Sequence, residues 1–177
     1  MTSNWIEGDS LAPPCQADTD VVNAILELAS PYLSKDSFFF DLGCGDGRIC
    51  IAATEKYGCR SLGVEIEENE ILKFEKAVAE REMGSLVSIV HGDLREIDLA
   101  PATVISIYLL PEAVAELTPA FTRAIENGTI LIFNTWAPKS FTPAAKSCSG
   151  FANNVDLKLC DRSSLPPSYV VLAADDK

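Results

Sequence analysis

Two rhythms of hydrophobic and polar positions take turns along the chain. Over residues 19–33, Val22, Ile25, Leu26 and Ala29 recur every three or four positions, which predicts a helix capped by Asp18 or Asp20. Residues 38–42, Phe-Phe-Phe-Asp-Leu, form an apolar run ended by glycines and predict a buried strand. Ile49, Ala52 and Ala53 then share one face of a helix over 48–57, and residues 61–65 predict a second strand. The clearest helix spans 67–82. Ile71, Phe74 and Val78 line one side, and Glu67, Glu68 and Glu70 sit at the end where the helix dipole favours acids.

The alternation continues with strands over 86–91 and 104–108, a helix opened by Pro111 that Pro119 restarts after Thr118, and a fifth strand over 129–134. Residues 138–150 are rich in Pro, Ser, Lys and Ala and read as a loop or ragged helix. Residues 155–160 and 169–172, separated by a Ser-Ser-Leu-Pro-Pro turn, predict a terminal hairpin. Strands that alternate with helices indicate an α/β fold, a doubly wound and mostly parallel sheet with an antiparallel C-terminal hairpin. Ligands of such sheets bind beyond the carboxyl ends of the strands.

Composition narrows the function. The 177 residues fit one domain, divided into an N-terminal extension (1–18), a ligand-binding core (19–137) and a substrate-side segment (138–177). The net charge is -12, split as -5 over residues 1–34, -8 over 35–137 and +1 over 138–177. No basic footprint for nucleic acid is visible, so a cationic partner is the easier match. No apolar run approaches the roughly 20 residues of a membrane span. The absence of Lys or Arg before Lys35 argues against a secretory or mitochondrial leader. Six cysteines without a CxxC pair read as reduced thiols, and a cytoplasmic location is expected. No metal-ligating set is recognised, and the sequence leaves the oligomeric state open.

The strongest chemical signal is Asp41-Leu42-Gly43-Cys44-Gly45-Asp46-Gly47, between a strand and a helix. Its alternating glycines allow a tight turn and close approach of a ligand to the backbone. The dinucleotide fingerprint would need glycine where Arg48 stands, and the phosphate-loop Gly-Lys-Ser/Thr ending is missing. A carboxylate at Asp41 disfavours a pyrophosphate and favours an ammonium or sulfonium, which points to S-adenosylmethionine. Glu65, at the end of the second strand, is placed to accept from ribose hydroxyls. Asp93, at the end of the third, is placed to accept from an adenine amino group. Each acid alone also reads as a helix cap.

With these residues the chain resembles the seven-strand, Rossmann-like S-adenosylmethionine-dependent methyltransferases over about residues 19–137. It is most similar to the archaeal and mitochondrial-type protein-lysine methyltransferases, relatives of the non-SET histone lysine methyltransferases. The closer likeness rests on Asp41–Ile49, Gly63-Val64-Glu65-Ile66, Gly92-Asp93-Leu94 and Tyr108-Leu109-Leu110-Pro111-Glu112. Many methyltransferases of base or glutamine amino groups carry Asn/Asp-Pro-Pro-Tyr at the last of these places. The Thr-Pro that often precedes the first helix in the lysine enzymes is replaced here by Ala17-Asp18, and an N-terminal lid stays an open question. The resemblance implies a seven-stranded sheet and a cofactor site of Asp41, Gly43, Cys44, Gly45, Gly47, Glu65, Ile66, Asp93, Leu94 and Tyr108. It also implies transfer of a methyl group to an amino nitrogen, with a lysine of a basic protein as the expected acceptor.

A lysine acceptor must lose its proton before attack, and a desolvated pocket lowers its pKa from about 10.4. Tyr108 is assigned to the transfer channel and Glu112 to orienting the amine; the bland readings are a core aromatic and a first-turn acid. His91 reads as structural, and Cys44 as packing with a redox option. Trp136 and Phe141 either line the substrate side or cover the sheet, and Arg48 either pairs with an acid or begins the helix, with no catalytic role. A small-molecule methyltransferase and a non-catalytic cofactor-binding scaffold are the alternatives, with RNA methylation ranked below them.

Overall fold

The computed structural model describes residues 17–141 and the backbone of two further strands, Ala145–Ser149 and Val155–Cys160. Its helices are α1 (Thr19–Ala29), α2 (Arg48–Tyr57), α3 (Glu68–Glu80) and α4 (Pro111–Glu126). Its strands are β1 (Phe38–Leu42), β2 (Arg60–Glu65), β3 (Val87–His91), β4 (Val104–Ile107), β5 (Ile130–Asn134), β6 (Ala145–Ser149) and β7 (Val155–Cys160). The sheet order is β3-β2-β1-β4-β5-β7-β6. The first five strands are parallel, and β7 runs antiparallel to both β5 and β6. The order reverses between β1 and β4, and a ligand crevice opens at such a switch point beyond the strand ends.

Both faces of the parallel strands are covered, as their unbroken apolar runs require. On one face Phe40, Leu42, Ile105, Ile107, Leu131 and Phe133 meet the inner side of α4, where Phe121 stands edge-on to Phe133 at 5.3 Å. On the other, Phe39, Val104, Ile130 and Ile132 pack against α1 and the inner side of α2. A smaller cluster under α3 contains Phe74, Val78, Val87, Cys44 and Cys50. Burying each such aromatic contributes about 1.5–3 kcal/mol.

Several sequence expectations need correction. The helix expected over 19–33 ends at Ala29 and passes into a short 3-10 turn, Ser30–Tyr32, because Pro31 cannot donate to a continuing ladder. Asp18 precedes α1 in extended backbone, but neither it nor Asp20 caps the helix through its side chain. Pro119 does not restart α4, which is continuous around it. The carbonyl deprived of a donor belongs to exposed Ala115, where water can serve, and Thr118 Oγ1 donates to Val114 O at 2.7 Å. Residues 145–149, expected as loop or ragged helix, form β6 because β7 supplies ladder partners that the local sequence does not announce. The expected pairing of 155–160 with 169–172 falls on residues outside those described.

Gly47 and Gly63 fix the seat of α3. A Cβ at Gly47 would lie 2.0 Å from Phe74 Cδ2, and one at Gly63 would lie 2.5 Å from both Phe74 Cε1 and Cys44 Sγ. Gly84, by contrast, has open space where a methyl would stand. Gly63→Ala is therefore expected to lower stability by about 2–3 kcal/mol, whereas Gly84→Ala leaves it within about 0.5 kcal/mol. Urea denaturation of the two variants checks the contrast, and equal midpoints would overturn the packing account.

Candidate functional site

The glycine loop leaves β1 at its carboxyl end, folds back over β2 and enters α2. Gly43, Gly45 and Gly47 all have positive φ, between 52° and 76°. The amides of Gly43 and Cys44 donate to Val64 O at 2.9 and 3.1 Å, and Gly47 N donates to Cys44 O at 3.0 Å. A Cβ at Gly45 would meet nothing within 4 Å, so the outer side of the turn is open to a ligand. Gly43 leans instead on Leu109 of the segment after β4, whose Cδ2 lies 3.0 Å from a Cβ built there.

Asp41 lies inside β1, opposite Gly63 on one side and Ser106 on the other. It is 2% exposed, and among the described residues neither its Oδ2 nor Ser106 Oγ has a hydrogen-bond partner. Burial is the main reason its pKa rises to about 7; the Ser106 hydroxyl, beside it but outside good hydrogen-bond geometry, pulls down, while Glu65 and Asp46 push up. Asp41 is thus partly neutral at neutral pH, and a cation brought beside it would draw it toward the carboxylate.

Glu65 ends β2 as expected and also braces the loop. Its Oε2 accepts from Gly45 N at 2.9 Å, and its Oε1 accepts from Ile66 N and Glu67 N at 2.8 and 3.0 Å. A carboxylate has about four lone-pair sites, so three are in use. Accepting two ribose hydroxyls requires Glu65 to share or release the Gly45 amide. Ile66 beside it is exposed, and its carbonyl lies 3.1 Å from His91 Nε2, which makes the lone histidine a brace for this turn.

Asp93 follows β3 and caps the 3-10 turn Leu94–Glu96 by accepting from Arg95 N at 2.9 Å. Arg95 also grips both Asp93 oxygens with its guanidinium, holding the carboxyl below its ordinary range, and reaches Glu116 of α4 at 3.4 Å. The carboxylate proposed for an adenine amino group is therefore already shared with an arginine. Sequence reasoning missed Arg95; the Asp-x-Arg spacing is the signal that could have found it.

Arg48, expected to pair with an acid or to begin a helix, does both, opening α2 and binding Asp46. That guanidinium chelates Asp46 at 2.9 and 2.6 Å and donates to Ala17 O at 2.8 Å, tying the loop to the residues before α1. Asp46 is held below the usual carboxylate range chiefly by this hydrogen bonding. Tyr108 is half-buried just past β4, and Glu112 is exposed in the first turn of α4. Leu94 is half-buried in the turn after Asp93. Burial, reinforced by Asp41 and Glu65, raises the pKa of the Cys44 thiol far above its ordinary range, so the redox option does not hold. Phe141 is buried against Phe133 at 6.4 Å and covers the sheet; Trp136 stays half-buried.

These residues fit S-adenosylmethionine. The open turn at Gly45 admits the ligand close to the backbone, and the orphaned oxygen of Asp41 suits a cation nearby. The pKa of Asp41 carries its own consequence. A carboxyl raised in the folded state binds more protons there than in the unfolded chain between about 3.8 and about 7, so its contribution to stability declines as pH rises through that window. Asp41→Asn removes this titration. Thermal melts from pH 4.5 to 8 are expected to show the variant gaining on the parent chain with rising pH, by up to a few kcal/mol at about 1.4 kcal/mol for each tenfold change in proton affinity; a constant difference would exclude a raised Asp41.

Comparison with known proteins agrees with this geometry. The family model of the ANTKMT methyltransferase domain matches residues 41–145, more than half of the chain. A protein-lysine N-methyltransferase of Saccharolobus islandicus is 32% identical over 124 residues, covering 70% of this chain and 76% of that protein. An RNA methyltransferase from Salinibacter ruber, solved with S-adenosyl-L-homocysteine, superposes with a TM-score of 0.73 at 26% identity, covering 92% of this chain and 97% of that one. The tRNA methyltransferase TrmK of B. subtilis, with a TM-score of 0.59 at 16% identity over 85% of this chain and 65% of that one, shares the fold. The chain belongs to the ANTKMT methyltransferase domain family and is an S-adenosylmethionine-dependent methyltransferase with a Rossmann-like α/β fold built on five parallel strands.

Proposed function

We propose that this methyltransferase modifies the side-chain nitrogen of lysine in a basic protein, in a cytoplasmic setting. The observation that carries the reading is the 32% identity to a protein-lysine N-methyltransferase across three quarters of that enzyme. Two features support it. Tyr108-Leu109-Leu110-Pro111-Glu112 stands at the carboxyl end of β4, packed through Leu109 on Gly43 of the loop. The chain's charge of -12 favours encounter with a cationic substrate.

When bound, S-adenosylmethionine supplies a methyl group already activated on a sulfonium sulfur. The chain's own tasks are to hold, align and dehydrate. The glycine turn and Glu65 hold one side, and Asp41 supplies negative charge as it ionises. Tyr108 lines the channel by which the acceptor arrives, and its half-buried setting removes water from the amine, which favours the neutral form needed for attack. Glu112, exposed at the mouth, attracts the lysine as a cation and orients it. Most of the rate advantage then comes from positioning.

RNA methylation is a second reading, favoured by the likeness to the Salinibacter ruber enzyme along nearly its whole length. The acidic balance opposes it, since phosphate contacts call for clustered Lys and Arg. Incubation with methyl-tritiated S-adenosylmethionine and cell lysate separates the two. Label is expected in protein and, after hydrolysis, in methylated lysine; label confined to RNA would establish the second reading, and label only in metabolites would reject both. Tyr108→Phe and Glu112→Ala are each expected to slow turnover by about ten- to a hundred-fold. Gly45→Arg, which fills the open turn, is expected to abolish cofactor binding by calorimetry.

A further inference from the structure

The cofactor residues occupy the carboxyl ends of β1, β2 and β3, which leaves the ends of β4 and β5 for the acceptor. The end of β5 carries an unusual turn. Thr135 has φ +72°, and Trp136 N donates to Asn134 O at 2.9 Å across it, which makes a γ-turn of the rare positive-φ kind. A β-branched residue is a poor occupant of that region, because its Cβ substituents crowd the backbone. The other described non-glycine residue with positive φ, Glu82, closes α3, where such a residue is common. Thr135 ends no helix, and strain of this sort persists where surrounding structure enforces it.

What the turn holds is the side chain of Asn134. This residue is 2% exposed, and its Oδ1 accepts from Thr135 Oγ1 at 3.1 Å. Among the described residues, nothing accepts from its amide nitrogen, and its Oδ1 keeps a second lone pair. A buried carboxamide with spare capacity is uncommon. Parallel pairing of Ile107 with Phe133 puts Asn134 level with Tyr108 on the next strand. Alternation along β5 and β4 sets both on the sheet face shared by Asp41 and Ser106.

We propose that Asn134 is the acceptor-side positioning residue, its carboxamide oxygen receiving an N–H of the incoming amine while the Thr135 hydroxyl fixes the carboxamide's direction. A neutral amine has one lone pair and must aim it at the methyl carbon. Its N–H bonds therefore need fixed acceptors on the opposite side. Asn134 offers such an acceptor, an oxygen whose direction is fixed by the hydroxyl of a strained neighbour.

This inference rests on an amine being the acceptor, and its test does not depend on knowing the substrate. Sinefungin is an S-adenosylmethionine analogue with a primary amine in place of the sulfonium methyl, whereas S-adenosylhomocysteine has nothing there. In Asn134→Ala the calorimetric Kd for sinefungin is expected to rise about ten-fold or more, with that for S-adenosylhomocysteine within two-fold. Asn134→Asp, which keeps an oxygen, is expected to restore sinefungin binding. Thr135→Gly tolerates the same backbone, loses the hydroxyl along with the rest of the side chain, and is expected to give an intermediate loss. Sinefungin and S-adenosylhomocysteine affinities that fall together in Asn134→Ala, or a sinefungin Kd unchanged in both Asn134→Ala and Thr135→Gly, would overturn the proposal. Label appearing outside protein lysine in the tritium experiment would instead count against the lysine reading, so the two failures are told apart.

Discussion

The site depends on one contact, the ring of Phe74 lying against the bare α-carbons of Gly47 and Gly63. α3 can sit on the sheet only because neither position carries a side chain, and the glycine turn keeps its shape only because α3 is there. The same ring shares its pocket with Cys44 and Cys50, so the thiols are packing material. Glu65 completes the arrangement. Standing at the end of the strand that carries Gly63, it takes the Gly45 amide from below and starts the turn into α3 by accepting from Ile66 and Glu67. A packing constraint and a carboxylate with three amides together hold an otherwise irregular loop in a single conformation.

Electrostatics around this frame is divided. Asp46 and Asp93 are each tied by an arginine two residues along, which keeps them ionised and directs them within the protein. Asp41 is the reverse case, an acid in the body of a strand with no cation in reach among the described residues, close to other acids and held partly neutral by burial. Buried charge without a partner is unfavourable, and such a group is a natural place for a cationic ligand to gain affinity. The net charge of -12 thus resolves into acids bound up in local structure, one acid poised by its surroundings, and a solvated remainder.

Much of this was legible in the chain. The strands at 38–42, 61–65 and 129–134 and the helix at 48–57 stand within a residue of where hydrophobic periodicity puts them, because their patterning and their glycine or proline boundaries agree. Asp41, the three loop glycines, Glu65 and Asp93 stand at the carboxyl edge of the parallel strands, as their order predicts. Less legible were features whose cause lies far along the chain. β6 exists through its pairing with β7, and Pro119 sits inside a helix that packing on Phe133 and Ile105 sustains. Asn134 and Thr135 resemble any polar end of a strand until the backbone of Thr135 is seen.

The sequence by itself determined the alternation of strands and helices, the glycine turn and the identity of the acids, since each is set by periodicity, by the absence of a Cβ or by residue type. Only the tertiary structure decided what state those acids are in and which of them are free. Burial, not sequence position, raises Asp41; a neighbouring guanidinium, not the end of a strand, occupies Asp93; and the Gly45 amide takes a share of Glu65. Protonation and hydrogen-bonding capacity depend on distances between groups brought together by folding, and those distances have no counterpart in the order of residues along the chain.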